Sequence, residues 1–454
     1  MSDIAFICEW LTAGQDAPEL RATVAQLTMR VGDLSLTQNE DVWSRTVRDS
    51  ALVSAYPLAL WLAGSWWRLN YEPLPIQRVS PSLDWRMGHE MGAANHGYVW
   101  PQVVFASDGE AIHIWAVPSN PGSRQSVRYL RGLPVPRTVT LADLQMAADE
   151  FISGVLNRLR AMEYPATDLA ELWRLVQEDR AAPEAARERR IEAQMGYDPE
   201  ECPKEIMDQA LALESRMGTQ ALSELAPIYG RRDSGAALGE ILKLANADGL
   251  QGIPAVPVAP TEVANAAALP WQRAVEAARS LRSHLHIGEA PIDDATLYGL
   301  LGLRAQAVKE WMPPTRHKVA LAVPTPNGNL KFVPRKPHPI AKRFEFSRFL
   351  GDYVNVGDES ASIRWLASTD LATSRQKYQR AFAAEFLCPI KSLANFLNGD
   401  FSESAIEEAA SNFEVSERTI ESLLSNNGYI APRTFDIGLP YPLAVRLFRS
   451  MICH

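Results

Sequence analysis

Cysteine is scarce in this chain of 454 residues: there are four, Cys8, Cys202, Cys388 and Cys453, and none forms a CxxC pair. That scatter excludes a zinc ribbon and a disulfide-stapled scaffold and leaves reduced, structural thiols. Long apolar runs are missing as well. No stretch approaches the ~18 residues that a spanning helix needs, and residues 1–20 carry acidic groups where a leader would have a basic segment followed by an apolar core. The expected compartment is therefore the cytoplasm, with no membrane partner. Also absent are a P-loop, a GxGxxG turn after a strand, a GxSxG elbow and any cysteine in a nucleophile motif, which removes the commonest sequence warrants for catalysis or a bound cofactor. Positive charge is in deficit, 45 Lys and Arg against 54 Asp and Glu, for a formal charge of -9. Such a balance speaks against a chain built to coat nucleic acid, while leaving room for a local basic patch.

What is present is ample apolar content over a length that exceeds one hydrophobic core, so two or three domains are expected. The first 140 residues hold Trp10, Trp43, Trp61, Trp66, Trp67, Trp85, Trp100 and Trp115, aromatic mass that builds cores and interfaces. Apolar runs flank Ser107-Asp108-Gly109 and predict a β-hairpin there; the alternation around Gly32-Asp33 predicts a second. Between them, 47–69 has the density of a buried helix, broken at Pro57. From 141 to 247 strand signals vanish and charged-faced helical periodicity takes over, as in 141–162 and 168–178; the run 181–191 reads as a solvated helix face. Residues 248–270 are rich in Pro and Ala and predict an extended linker. The match between Tyr56-Pro57-Leu58-Ala59 and Tyr441-Pro442-Leu443-Ala444 is too short to count as a repeat.

Beyond the linker the periodicity predicts helices at 271–285 and 292–301, the latter opened by Asp293-Asp294, which suit a helix N-terminus. A hairpin follows, 319–323 and 330–333 around Asn327-Gly328. Then come helices at 341–354, at 375–387 before Pro389, and a closing pair at 402–411 and 416–427. The fold class is thus α+β and multidomain: an α+β domain with hairpins over 1–140, a helical segment over 141–247, the linker over 248–270, and a mainly helical domain with a small hairpin over 271–454.

Three segments of that last domain, PWQRAVEAARSLRSHLHIGEAPIDDATLYGLLGL from Pro270, RFEFSRFLGDY from Arg343 and QRAFAAEFLCP from Gln379 with the later Phe413-Glu414-Val415-Ser416, resemble the ImmA/IrrE family of small zinc metallopeptidases. The resemblance implies a zincin-like domain. In HExxH, two histidines one turn apart share a zinc ion and the glutamate polarises its water. The register set by Arg343-Phe344 and Leu350-Gly351 puts Arg348 at the first histidine, Phe349 at the glutamate and Asp352 at the second histidine. The family's third, acidic ligand falls at Gln376 or Tyr378. A fixed cation repels a divalent metal and phenylalanine cannot act as a base, so no zinc site is expected. Arg348 and Asp352, at i and i+4, are instead expected to pair as a structural staple.

Elsewhere, His89-Glu90 and His96 lie two turns apart, about 10 Å on a helix, too far to share one metal without a break. His284 and His286 face different directions. Arg316, His317, Lys318, Lys331, Arg335, Lys336, Lys342 and Arg343 gather around the hairpin and the mouth of the degenerate cleft, where they are expected to meet a partner protein or nucleic acid. Residues 406–429 have helix-turn-helix spacing, but Glu417 and Glu421 on the second helix disfavour a phosphate backbone, so the pair reads as a packing element.

Three functions follow as expectations. The leading one is a non-catalytic pseudopeptidase, a regulatory or accessory protein that binds another protein such as a repressor or defence-system component. The family resemblance implies a setting in stress response, mobile-element control, toxin-antitoxin modules or phage defence. The second is a DNA-binding regulator that uses the basic hairpin and the closing helices. The third is an active metallopeptidase with displaced ligands, His338, Glu345 and Asp352 being the nearest.

Overall fold

A computed structural model describes residues 3–12, 17–75, 81–119, 125–231, 237–256, 269–313, 316–356 and 365–431. Cys453, the Tyr441 to Ala444 segment and most of the expected linker lie outside the described residues. The chain is a mixed α+β protein with several small antiparallel sheets. It divides into two units, one ending at Pro203 and a second beginning at Lys204. The helical segment expected over 141–247 is therefore shared between them.

In the first unit, β1 (Ile4–Trp10) pairs along its length with β2 (Val24–Val31), after the short α1 (Pro18–Ala22). Gly32, at φ +58°, turns β2 into β3 (Leu34–Ser35) as the Gly32-Asp33 signal predicts. Strands β4 (Asn39–Asp41) and β5 (Thr46–Arg48) form a hairpin, and β6 (Ala51–Ser54) returns to β2. The single helix expected from residue 47 is thus corrected: its first part alternates buried Ala51 and Val53 around exposed Leu52 and so forms a strand. Helix α2 (Tyr56–Gly64) begins only at Tyr56. Pro57 opens it without breaking it, because a first-turn N–H has no intrahelical partner to lose. Apolar on every side, α2 is enclosed by the unit's core. It is followed by α3 (Trp66–Tyr71) and α4 (Leu83–His89).

The Ser107-Asp108-Gly109 turn joins β7 (Gln102–Ser107) to β8 (Ala111–Val117), as expected. Strand β9 (Val127–Tyr129) adds to β4, and β10 (Arg137–Thr140) adds to β8. Helices α5 (Leu141–Ala161), α6 (Asp168–Ala181) and α7 (Pro183–Gln194) complete the unit. The run expected to be a solvated face is only partly so, since Ile191 at its end is buried and residues 188–190 are half-buried.

The second unit starts with α8 (Lys204–Met217), α9 (Thr219–Tyr229) and α10 (Gly239–Asn246). Strand β11 (Leu250–Gly252) then pairs with β13 (Leu330–Val333), so the start of the expected linker is a sheet edge. Next come α11 (Pro270–His284), α12 (Asp294–Leu300), capped by Asp293, and α13 (Ala305–Glu310). The hairpin of β12 (Ala320–Pro324) and β13 (Leu330–Val333) turns at Gly328, φ +79°. The central α14 (Pro339–Val356) leads to β14 (Leu366–Ser368), and the antiparallel sheet runs β11-β13-β12-β14. Four helices close the unit: α15 (Ser374–Leu387), α16 (Ile390–Leu397), α17 (Glu403–Phe413) and α18 (Glu417–Asn426). Helix α15 packs on both α11 and α14. A Cβ at Gly351 would sit 2.7 Å from the Phe382 ring, so that glycine sets how closely α14 and α15 approach. Among the described residues, no helix is long and apolar enough to cross a membrane.

Candidate functional site at the central helix

Helix α14 presents Arg348, Phe349 and Asp352 to the interior, where they are 5%, 0% and 1% exposed. These three positions face packed interior and not an open cleft. Phe349 packs its ring 5.6 Å from Phe332 of β13 and 6.1 Å from Phe346, filling the space in front of the sheet. Arg348 donates from Nη2 to the Thr369 carbonyl, 2.6 Å, and to Gln376 Oε1. That same Gln376 oxygen accepts the Thr369 backbone N–H at 2.8 Å, while Gln376 Nε2 donates to Ala367 O at 3.0 Å. The glutamine thereby serves as the hub that ties α14 to β14 and α15.

The expected Arg348–Asp352 staple does not form. Asp352 accepts from Arg375 Nε at 2.8 Å and Nη2 at 2.7 Å, a two-pronged pair between α14 and α15. Such a fork satisfies both carboxylate oxygens at once. Arg348 is left with neutral acceptors only, and its Nε has no hydrogen-bond partner. Burial, with the neighbouring Arg380 and Arg335 cations, pulls its pKa down to about 9. Burial likewise pulls Arg380, whose Nη1 donates to Leu371 O at 3.0 Å, down to about 10. Across from them Glu224 of α9 accepts from Thr373 Oγ1 at 2.6 Å; burial raises its pKa, against the pull of Arg375.

Several cations expected on the surface also turn inward. Arg335, 7% exposed, is held by Glu345 (Nε to Oε1, 2.9 Å), by both oxygens of Asp370 (2.7 and 2.9 Å) and by Lys318 O. Lys342 donates from Nζ to Val308 O and to the carbonyls of Lys309 and Trp311, capping the C-terminal end of α13 where a cation suits the helix dipole. Burial lowers its pKa. Arg343 reaches Ile292 O at 2.7 Å, Asp294, and Glu414 at 3.0 Å. These three are therefore corrected from partner-binding to structural roles, because desolvated cations need fixed acceptors. Arg316 and Lys318 are exposed, and Lys331 and Lys336 half-buried.

The Arg343–Glu414 bridge also pins the turn between α17 and α18, where Glu414 adopts φ +50°. Ile420, Leu423 and Leu424 of α18 are buried, in keeping with a packing element. Of the displaced-ligand candidates, Glu345 pairs with Arg335 and Asp352 with Arg375, and among the described residues no group of three or more of His, Cys, Asp and Glu is placed to hold a metal. In the first unit His89 is fully buried, stacked on Trp85 at 4.1 Å. Its Nδ1 meets Phe105 O and its Nε2 meets Glu72 Oε2, each at 3.0 Å, so both nitrogens are occupied by acceptors. His96 hydrogen-bonds Ala94 O instead.

Reasoning from sequence missed Glu224, Thr369, Asp370, Thr373 and Arg375. Only Thr373 carried a local signal, the N-cap of α15, where it accepts from the Gln376 N–H. In comparison with known proteins, the chain matches no family model, no curated protein and no solved structure.

Proposed function

We propose that this protein is a non-catalytic binding or regulatory protein whose second unit uses an ImmA/IrrE-like scaffold without its metal chemistry. The observation that carries the reading is the commitment of every group at the former motif positions. Arg348 is spent on Gln376 and Thr369, Asp352 on Arg375, and Phe349 fills the core, leaving no base and no ligand facing a substrate. Its partner is another protein, of the repressor or defence-component kind that the family resemblance implies. The duplex-binding alternative loses ground because Arg335, Lys342 and Arg343 are buried and held by internal acceptors, out of reach of a phosphate backbone.

The test is elemental analysis of chain purified without chelators, alongside affinity capture from its native cell extract. Substoichiometric zinc and a specific protein partner are expected. Stoichiometric zinc that is lost in Asp352→Asn, or recovery of no specific partner, would overturn the proposal.

A further inference from the structure

A cavity of about 370 Å³ opens between α10 and the segment 316–318, and no residue of α14 lines it. Its walls carry Lys243, Arg316 and Lys318 against one carboxylate, Glu240. In a chain of formal charge -9, this is a local excess of positive charge in a concave site. Lys243 and Arg316 are exposed and make no ion pair or hydrogen bond among the described residues. They thus differ from Arg335, Lys342 and Arg343, which are buried and held by internal acceptors.

At the same cavity lies Tyr229, 4% exposed, whose hydroxyl has no hydrogen-bond partner among the described residues. Burial, with the nearby Glu240 carboxylate, pushes its pKa up to about 12, so the phenol keeps its proton and can donate. A nearly buried phenol with an unused donor beside two unpaired cations is the donor set an oxyanion requires. Leu244 and Ala247 supply a small apolar wall, and the volume lies near the lower end of the ~300–1,000 Å³ range of small-molecule sites.

We propose that this cavity binds a phosphate-bearing small molecule, with Lys243, Arg316 and the Tyr229 hydroxyl holding the phosphate and Leu244 packing against the body attached to it. Glu240 is placed to accept from a hydroxyl of that body and discriminates against ligands carrying further negative charge. The site is independent of the peptidase likeness and stands or falls separately from it.

The experiment is isothermal titration of the full chain at low salt with inorganic phosphate, a sugar phosphate and adenosine monophosphate, using sodium chloride of matched ionic strength as a control. Saturable binding of at least one phosphate probe is expected, with affinity falling about tenfold or more in Lys243→Gln and in Arg316→Gln, as for loss of a hydrogen bond to a charged group. Tyr229→Phe should weaken binding while leaving the thermal midpoint near that of the parent. Tighter binding of the nucleotide names a mononucleotide ligand, and tighter binding of the other two names a sugar phosphate or free phosphate; either outcome supports the site. No saturable binding by any of the three, or binding that the two charge substitutions leave unchanged, overturns it.

Discussion

Removing Asp352 tests the wiring of the central helix most directly. Its carboxylate is 1% exposed and takes two donors from Arg375, whose side chain is 11% exposed. In Asp352→Ala the Arg375 guanidinium keeps only a long contact to Trp365 O at 3.3 Å, and its Nη1 is already unbonded. Losing one partner of a buried ion pair costs about 3–5 kcal/mol, and the nearby Glu224 carboxylate, which still attracts Arg375, places the loss toward the lower end. Taking out both partners, Asp352→Ala with Arg375→Met, removes the orphaned charge, so the double variant should be more stable than the sum of the singles implies. A coupling of about 2–3 kcal/mol is expected for that pair, whereas Asp352→Ala with Arg348→Met should be additive to within about 0.5 kcal/mol. Amide hydrogen exchange along α14 gives the opening free energy of that element, which suits a two-unit chain better than a single global melt. The reverse pattern, coupling to Arg348 and additivity with Arg375, would refute the assignment and restore the pair along the helix.

Three further outcomes are expected. Gly351→Ala should cost about 1–3 kcal/mol by driving a methyl into the Phe382 ring, and Phe382→Leu should recover part of the loss in a thermal melt; an unchanged midpoint would show that α14 and α15 are not in close contact there. Phe349→Glu should destabilise the second unit far more than Phe349→Leu, since a carboxylate among Phe332 and Phe346 has no donor; equal melting curves for the two would contradict the packing. The third concerns acid. Burial opposes the Glu72 carboxylate, but the His89 and Arg68 contacts outweigh it and hold the pKa below the usual glutamate value. Its contribution is therefore complete above the unfolded value, about 4.3, and lost as pH falls through the lower folded value. His89→Leu should move acid unfolding, followed by tryptophan fluorescence, to higher pH; a midpoint that stays put would remove Glu72 from the account.

Much of the secondary structure was legible because its signals are local. Asn327-Gly328 and Ser107-Asp108-Gly109 each specify a tight reversal through their own backbone preferences, and Asp293 and Ser416 mark helix starts by capping their own N–H groups. The site was legible only as a list of positions. That Arg348, Phe349 and Asp352 face inward follows from helical spacing, but their partners do not: Arg375 lies on another helix and Gln376 meets Arg348 only after β14 has joined the sheet. The basic cluster misled for the same reason. Adjacent cations in a sequence read as a surface patch until Asp370, Glu345 and the end of α13 are folded against them. The strand at 51–54 was lost in a run whose apolar density pointed to helix, because four residues are too few for a period of two to stand out.

The glutamine hub also restricts which side chains evolution can place on this helix. Histidines introduced at 348 and 352 would strip Gln376 and Thr369 of a donor and Arg375 of its counter-charge before any metal ligand had been gained. Each single substitution at these two positions would pass through a less stable protein, so selection on folding alone suffices to hold this helix where it is.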